Sequence, residues 1–255
     1  MYNMNVILYG NKTLSSRRKM MKRIAILALT ALVFCAIAVA AQTEQAQPAA
    51  ENSDQLNVKL QQALELYKEK KNAEAEVIFD ELLKAYPNNL DVLFWAGTNY
   101  LELKKIEEAR KLAESGLKLD AKNLPMMKLN SRTFMVQKEF GDAIDILEEA
   151  VELYPQDLEI WLMITINAFY KQSWNKTIDS ADEALKLDGK NMIALSYKAT
   201  AYIAKKKWDK AVEVYDVMLS IDPNSDFAKN GKDQALRKQK EEKSSRRALE
   251  PTGEM

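Results

Sequence analysis

One turn phrase returns every 34 residues. "KAYPNNLDVLFW" occupies Lys84–Trp95 and "ELYPQDLEIWLM" occupies Glu152–Met163, so Pro87 and Pro155 stand 68 residues apart. Halfway between them, Ala121 sits in "KLDAKNL"; 34 residues past Pro155, Gly189 sits in "KLDGKNM"; and 34 further on, Pro223 sits in "SIDPNSD". A fixed period of this length marks stacked supersecondary units, none of which can bury its apolar face alone. In register, the units are 56–89, 90–123, 124–157, 158–191 and 192–225. Their last residues are Asn89, Asn123, Asp157, Asn191 and Ser225, all of which favour a helix N-cap, so a helix is predicted to open each following unit.

Each unit carries two helical stretches. In the second, "LDVLFWAGTNYLEL" places Leu93, Ala96, Gly97 and Tyr100 on one face, and "EEARKLAESGLKL" does the same with Ala109, Leu112, Ala113, Gly116 and Leu117. Small residues recur at unit position 8 (Ala63, Gly97, Ser131, Thr165, Ala199) and at position 20 (Ala75, Ala109, Ala143, Thr177, Ala211). Bulk recurs mostly at position 17, with Ile106, Phe140, Trp174 and Trp208 after an initial Asn72. These residues resemble the tetratricopeptide repeat family, a 34-residue helix–turn–helix unit with small residues at these positions. The departures are Leu82 and Met218 at a normally small position, Thr165 and Thr177 in the fourth unit, and Lys or Gln where the turn between helices often has Gly. The resemblance implies an all-α, right-handed superhelical solenoid of five hairpins. Residues 226–243 read as a polar-backed capping helix with Phe227, Leu236 and Ala235 facing the last repeat, and 244–255 as a frayed tail.

What the family fold does follows from its inner face. There, the resemblance puts the first helix of each hairpin along a concave groove that holds a peptide or a partner's helix. Carried onto this chain, the groove residues include Leu60, Leu64, Tyr67, Phe94, Trp95, Thr98, Leu162, Ile166, Phe169 and Tyr170, an apolar lining suited to a protein partner. Lys128 and Arg132, one helical turn apart, are expected as a central cationic anchor for a partner carboxylate, with a solvated surface pair as the equal alternative. The carboxylate-clamp variant of the family is rejected, because Leu60, Leu64 and Trp95 stand where it needs Lys and Asn. Lysines crowd the turns inside the hairpins, from Lys68, Lys70 and Lys71 to Lys205, Lys206 and Lys207, and read as solvated surface rather than a lipid-binding ridge.

Composition narrows the chemistry. There is no histidine, and the single cysteine, Cys35, lies in an apolar N-terminal run. A histidine base, a Cys–His pair and a Cys/His zinc site are therefore absent from the repeats, and no Gly-rich phosphate loop appears. No cofactor and no catalysis are expected. Beyond residue 41 the chain holds 31 basic against 37 acidic residues, which argues against nucleic acid as a partner.

Residues 1–41 read as an address. Basic residues precede the apolar run Ile24–Ala41, and Ala38-Val39-Ala40 fits a small-x-small cleavage pattern. Cleavage before Ala41 or Gln42 is one expectation; an uncleaved anchor of 18 apolar residues, tethering a regulatory or sensing module to a membrane, is the other. Residues 1–19 read as an upstream start ahead of Met20 or Met21, with a twin-arginine signal at Arg17-Arg18 as the rival. Residues 42–55 read as a linker. Asn175-Lys176-Thr177 matches a glycosylation acceptor at chance frequency, and the lack of disulfides favours a bacterial cell envelope. The expectation is an exported, non-catalytic interaction scaffold or assembly factor.

Overall fold

The computed structural model describes residues 53–249, all helix and turn. The expected signal, the start of the linker and residues 250–255 lie outside them. The chain divides into two compact units, Met1–Gln61 and Gln62–Met255. In the first, residues 53–61 are helical. The second begins in helix α1 (62–68) and continues through α2 (Asn72–Ala85), α3 (Leu90–Glu102), α4 (Ile106–Leu119), α5 (Leu124–Val136) and α6 (Phe140–Leu153). It ends with α7 (Leu158–Tyr170), α8 (Trp174–Leu187), α9 (Met192–Ala204), α10 (Trp208–Ile221) and α11 (Asp226–Leu249). From α2 onward each helix packs on the next, and α3 touches α5 as α7 touches α9, so the first helices of successive hairpins lie side by side. This is an all-α solenoid of helix–turn–helix repeats closed by a capping helix.

Caps space the helices. The side chains of Asn89, Asn123, Asp157 and Asn191 accept from the N–H of Val92, Met126, Ile160 and Ala194 at 3.0–3.2 Å. Ser225 Oγ accepts from Ala228 at 3.3 Å. Each bond satisfies one donor that the helix cannot pair internally, worth about 0.5–2 kcal/mol against Ala. The helices odd in number from α1 to α9 end alike. At the end of α3, Lys104 N–H reaches Leu101 O at 3.0 Å and Lys105 N–H reaches Tyr100 O at 2.8 Å, the paired bonds of a Schellman motif. That motif needs a left-handed residue, and Lys70, Lys104, Lys138, Gln172 and Lys206 supply it at φ of 54–65°.

The recurring small residues are where helices meet. Ala75, Ala109, Ala143, Thr177 and Ala211 are fully buried, as are Ala63, Ser131, Thr165 and Ala199. At Gly97, an added Cβ would stand 2.7 Å from Leu129 Cδ2, so glycine there sets the spacing of α3 against α5. Bulky Leu82 and Met218, at a position that is small in the other repeats, are accommodated at 1 % exposure.

One detail departs from the sequence reading and one adds to it. The cap α11 runs through Leu249, six residues past its expected end at 243. Its buried residues are Ala228 and Ala235, while Phe227 is half-exposed and touches Tyr215 at its ring edge, with centroids 6.0 Å apart. Tyr215 and Met218 of α10 already fill the space, so the cap must bring small side chains to it.

Candidate partner-binding face

Most of the residues expected to line a groove lie on the odd-numbered helices, and their rings fall into two aromatic groups. Near the start of the second unit, Trp95 meets Tyr67 edge-on at 6.1 Å and Phe94 at 5.1 Å between ring centroids. Toward the C-terminal end, Phe169 lies 4.9–5.7 Å from the rings of Tyr197, Trp174 and Tyr170. Tyr170 also stacks on Phe140 at 5.6 Å. Such pairs add about 0.5–1.5 kcal/mol beyond the area they bury, so the rings are held in place.

Exposure separates lining from core. Leu64, Tyr67, Phe94, Trp95, Leu162, Ile166 and Phe169 are half-buried, and Tyr170 is 55 % exposed. Exposed Val136 and Ile193 extend the apolar surface on α5 and α9. Leu60 is half-buried in the first unit. Thr98 is different: it is buried and its hydroxyl donates to Phe94 O at 2.8 Å, a bond within its own helix. Burial pushes the Tyr67 phenol above its usual range; Glu102 adds to that shift and Arg132 opposes it, so both charges act at this ring. Burial likewise raises Tyr197, with the neighbouring Tyr170 hydroxyl adding to it.

Lys128 and Arg132 have partners inside the chain. Lys128 Nζ donates to both Asp157 oxygens at 2.9–3.0 Å and to Glu159 at 2.8 Å, while Arg132 donates to the other oxygen of Glu159 at 2.7 Å. Asp157 is at the same time the N-cap of α7. Lys128, Arg132, Asp157 and Glu159 therefore form a four-membered ion network of zero net charge. These acids were missed because they lie 27–31 positions downstream. The repeat register contains the signal: the last residue of one repeat and the second of the next adjoin positions 5 and 9 of the helix before.

Elsewhere the surface is ordinary. Among the turn lysines, Lys71 pairs with Glu69 at 2.8 Å, Lys105 with Glu76, and Lys205 with the Asn175 amide. Asn175 is exposed, but Thr177 of the acceptor triplet is fully buried in α8. Among the described residues, no group of three acidic, histidine or cysteine side chains is arranged to hold a metal, and no helix is long and apolar enough to cross a membrane.

Two family models described as the tetratricopeptide repeat match residues 60–129 and 167–226. Solved structures with this fold include the MamA RS-1 ArsTM double mutant, at 16% identity and TM-score 0.61, over 67% of this chain and 96% of that one. YrrB, described as a TPR protein with an unusual peptide-binding site, aligns at 19% identity and TM-score 0.57 over 69% and 90%. A thermophilic TPR protein of Thermus thermophilus, TTC0263, aligns at 19% identity and TM-score 0.55 over 71% and 98%. No curated protein matches. The fold is in general that of a protein–protein interaction scaffold. With the period, the capped hairpins and both matches in agreement, the chain belongs to the tetratricopeptide repeat family.

Proposed function

We propose that this protein is an exported, non-catalytic scaffold that holds a segment of another protein against the apolar face of its odd-numbered helices. The observation that carries this reading is the run of ordered, half-exposed apolar side chains from Tyr67, Phe94 and Trp95 to Leu162, Ile166, Phe169 and Tyr170. A face open only to water gains nothing from such a lining, and clustered, partly exposed aromatic side chains are typical of partner sites. The peptide-binding site described for YrrB, on the same fold, favours the same use here. Because the ion network is neutral, the apolar side chains would supply most of the affinity, and Lys128 and Arg132 would orient the partner.

The experiment is site-specific photocrosslinking in cells, with the crosslinker at Tyr170 or Phe94 and a control at Val77, which is 61 % exposed on α2. One partner should be trapped from both helix-face positions and not from the control. Equal trapping at all three would abandon the groove. The leader Met20–Gln42 supports delivery to a bacterial envelope, and the second reading, a membrane-tethered sensing module, rests on the same segment. Mass measurement of the exported protein separates them: a mature start near Gln42 removes the tether.

A further inference from the structure

Besides Thr165 and Thr177, repeat 4 breaks the pattern of its neighbours at a third buried position. Ser180 stands where the other four repeats place Ile78, Leu112, Ile146 and Val214. Its hydroxyl is used locally, donating to Lys176 O at 2.7 Å and accepting from Thr165 Oγ1 at 2.9 Å. The missing aliphatic group leaves an open cleft of about 590 Å³ between α6 and α8, floored by Trp161 and Ile164 of α7 and walled by Val151. Trp161 is held in place by its indole N–H, which donates to Pro155 O at 3.0 Å. Trp161 and Ile164 lie on a side of α7 turned away from Leu162, Ile166 and Phe169, so this cleft is separate from the face described above.

The rim has a sign. Glu148, Asp179 and Glu183 line it with a single cation, Lys176, which pairs with Glu148. Glu183 meets Lys186 at 2.6 Å on the solvent side. Asp179 is exposed and has no cation partner among the described residues. An apolar floor under a net-negative rim is complementary to a bulky apolar side chain flanked by positive charge. We propose that the cleft between α6 and α8 is a second docking site, taking one large aliphatic side chain of a basic segment of another protein.

The test uses the full chain with labelled tryptophans, the Trp161 indole resonance being assigned by its loss in Trp161→Phe. The probes are capped pentapeptides: Lys-Lys-Leu-Lys-Lys, Glu-Glu-Leu-Glu-Glu and Lys-Lys-Ser-Lys-Lys. The first should shift the Trp161 signal, with affinity falling as salt rises, and the other two should not. Ser180→Leu fills the cleft and should abolish the shift. Asp179→Lys with Glu183→Lys touches only the rim and should weaken binding roughly tenfold with helical circular dichroism unchanged. No shift with the first peptide, an equal shift with the acidic or serine peptide, or binding that survives both sets of substitutions would overturn the assignment. A Trp161 shift driven by protein concentration alone would also overturn it, by making a second copy the occupant.

Discussion

Lys104 and Lys138 hold φ of 60° and 65° in the turns after α3 and α5. A side chain in this region brings its Cβ against the following carbonyl, at about 1–2 kcal/mol. Glycine removes that clash but loses about 0.5–1 kcal/mol through the greater freedom of its unfolded chain. Lys104→Gly and Lys138→Gly are each expected to stabilise by up to about 1 kcal/mol. The two should add, since they sit in separate turns. Urea melts with an unchanged slope would show it; a loss of stability would mean that these lysines make contacts worth more than the strain. The caps carry the opposite expectation. Asn123→Ala removes the bond to Met126 N–H and should cost about 0.5–2 kcal/mol, while Asn123→Asp keeps an acceptor there and should stay close to wild type.

At the scale of the element, α11 is the piece whose removal would expose a core. Gly231 lies against Tyr215 so closely that an added Cβ would stand 2.3 Å from the ring's Cζ. The ring is 3 % exposed and edge-on to Phe227, so it cannot swing clear without opening the contact. Gly231→Ala is expected to cost about 1–3 kcal/mol despite the better helix propensity of alanine. In a solenoid each repeat contacts only its neighbours, so the damage should stay local. Amide exchange should quicken in α10 and α11 and remain unchanged in α3 to α6. A uniform rise along the chain would instead show that the repeats unfold as one unit. The sequence makes Gly231 look like a helix breaker because a helix-interior glycine weakens propensity; the reason for it lies on α10, in a ring no local pattern reveals.

Across the whole molecule, what was legible is what every repeat needs in common. Caps at Asn89, Asn123, Asp157, Asn191 and Ser225 and close-approach residues such as Ala109 and Ala143 do one job five times, and so they print a period. What was not legible belongs to one repeat or joins two: the carboxylates on Lys128 and Arg132 straddle the junction with the next hairpin, and the cleft at Ser180 follows from a single departure. Titration behaviour also belongs to this scale. With no histidine in the chain, no side chain of the described residues has its ordinary pKa between about 5 and 9. Stability should therefore be level across that range. Above it the tyrosines decide. Burial raises Tyr215, and burial together with the 2.5 Å bond to Asp80 raises Tyr100 well beyond the usual phenol range of 10.0. A folded pKa above the unfolded one means that the native state keeps its proton while the unfolded chain releases it near pH 10. The stabilisation is thus fully present below about pH 10 and is lost as pH climbs toward the folded values. Tyr100→Phe deletes both the hydroxyl and its titration. It should lower stability at neutral pH by about 1–3 kcal/mol, since the acceptor is a carboxylate, and flatten the alkaline decline. Chemical denaturation between pH 7 and 11.5 reads both effects. An alkaline limb equally steep in wild type and Tyr100→Phe would remove this phenol as its cause.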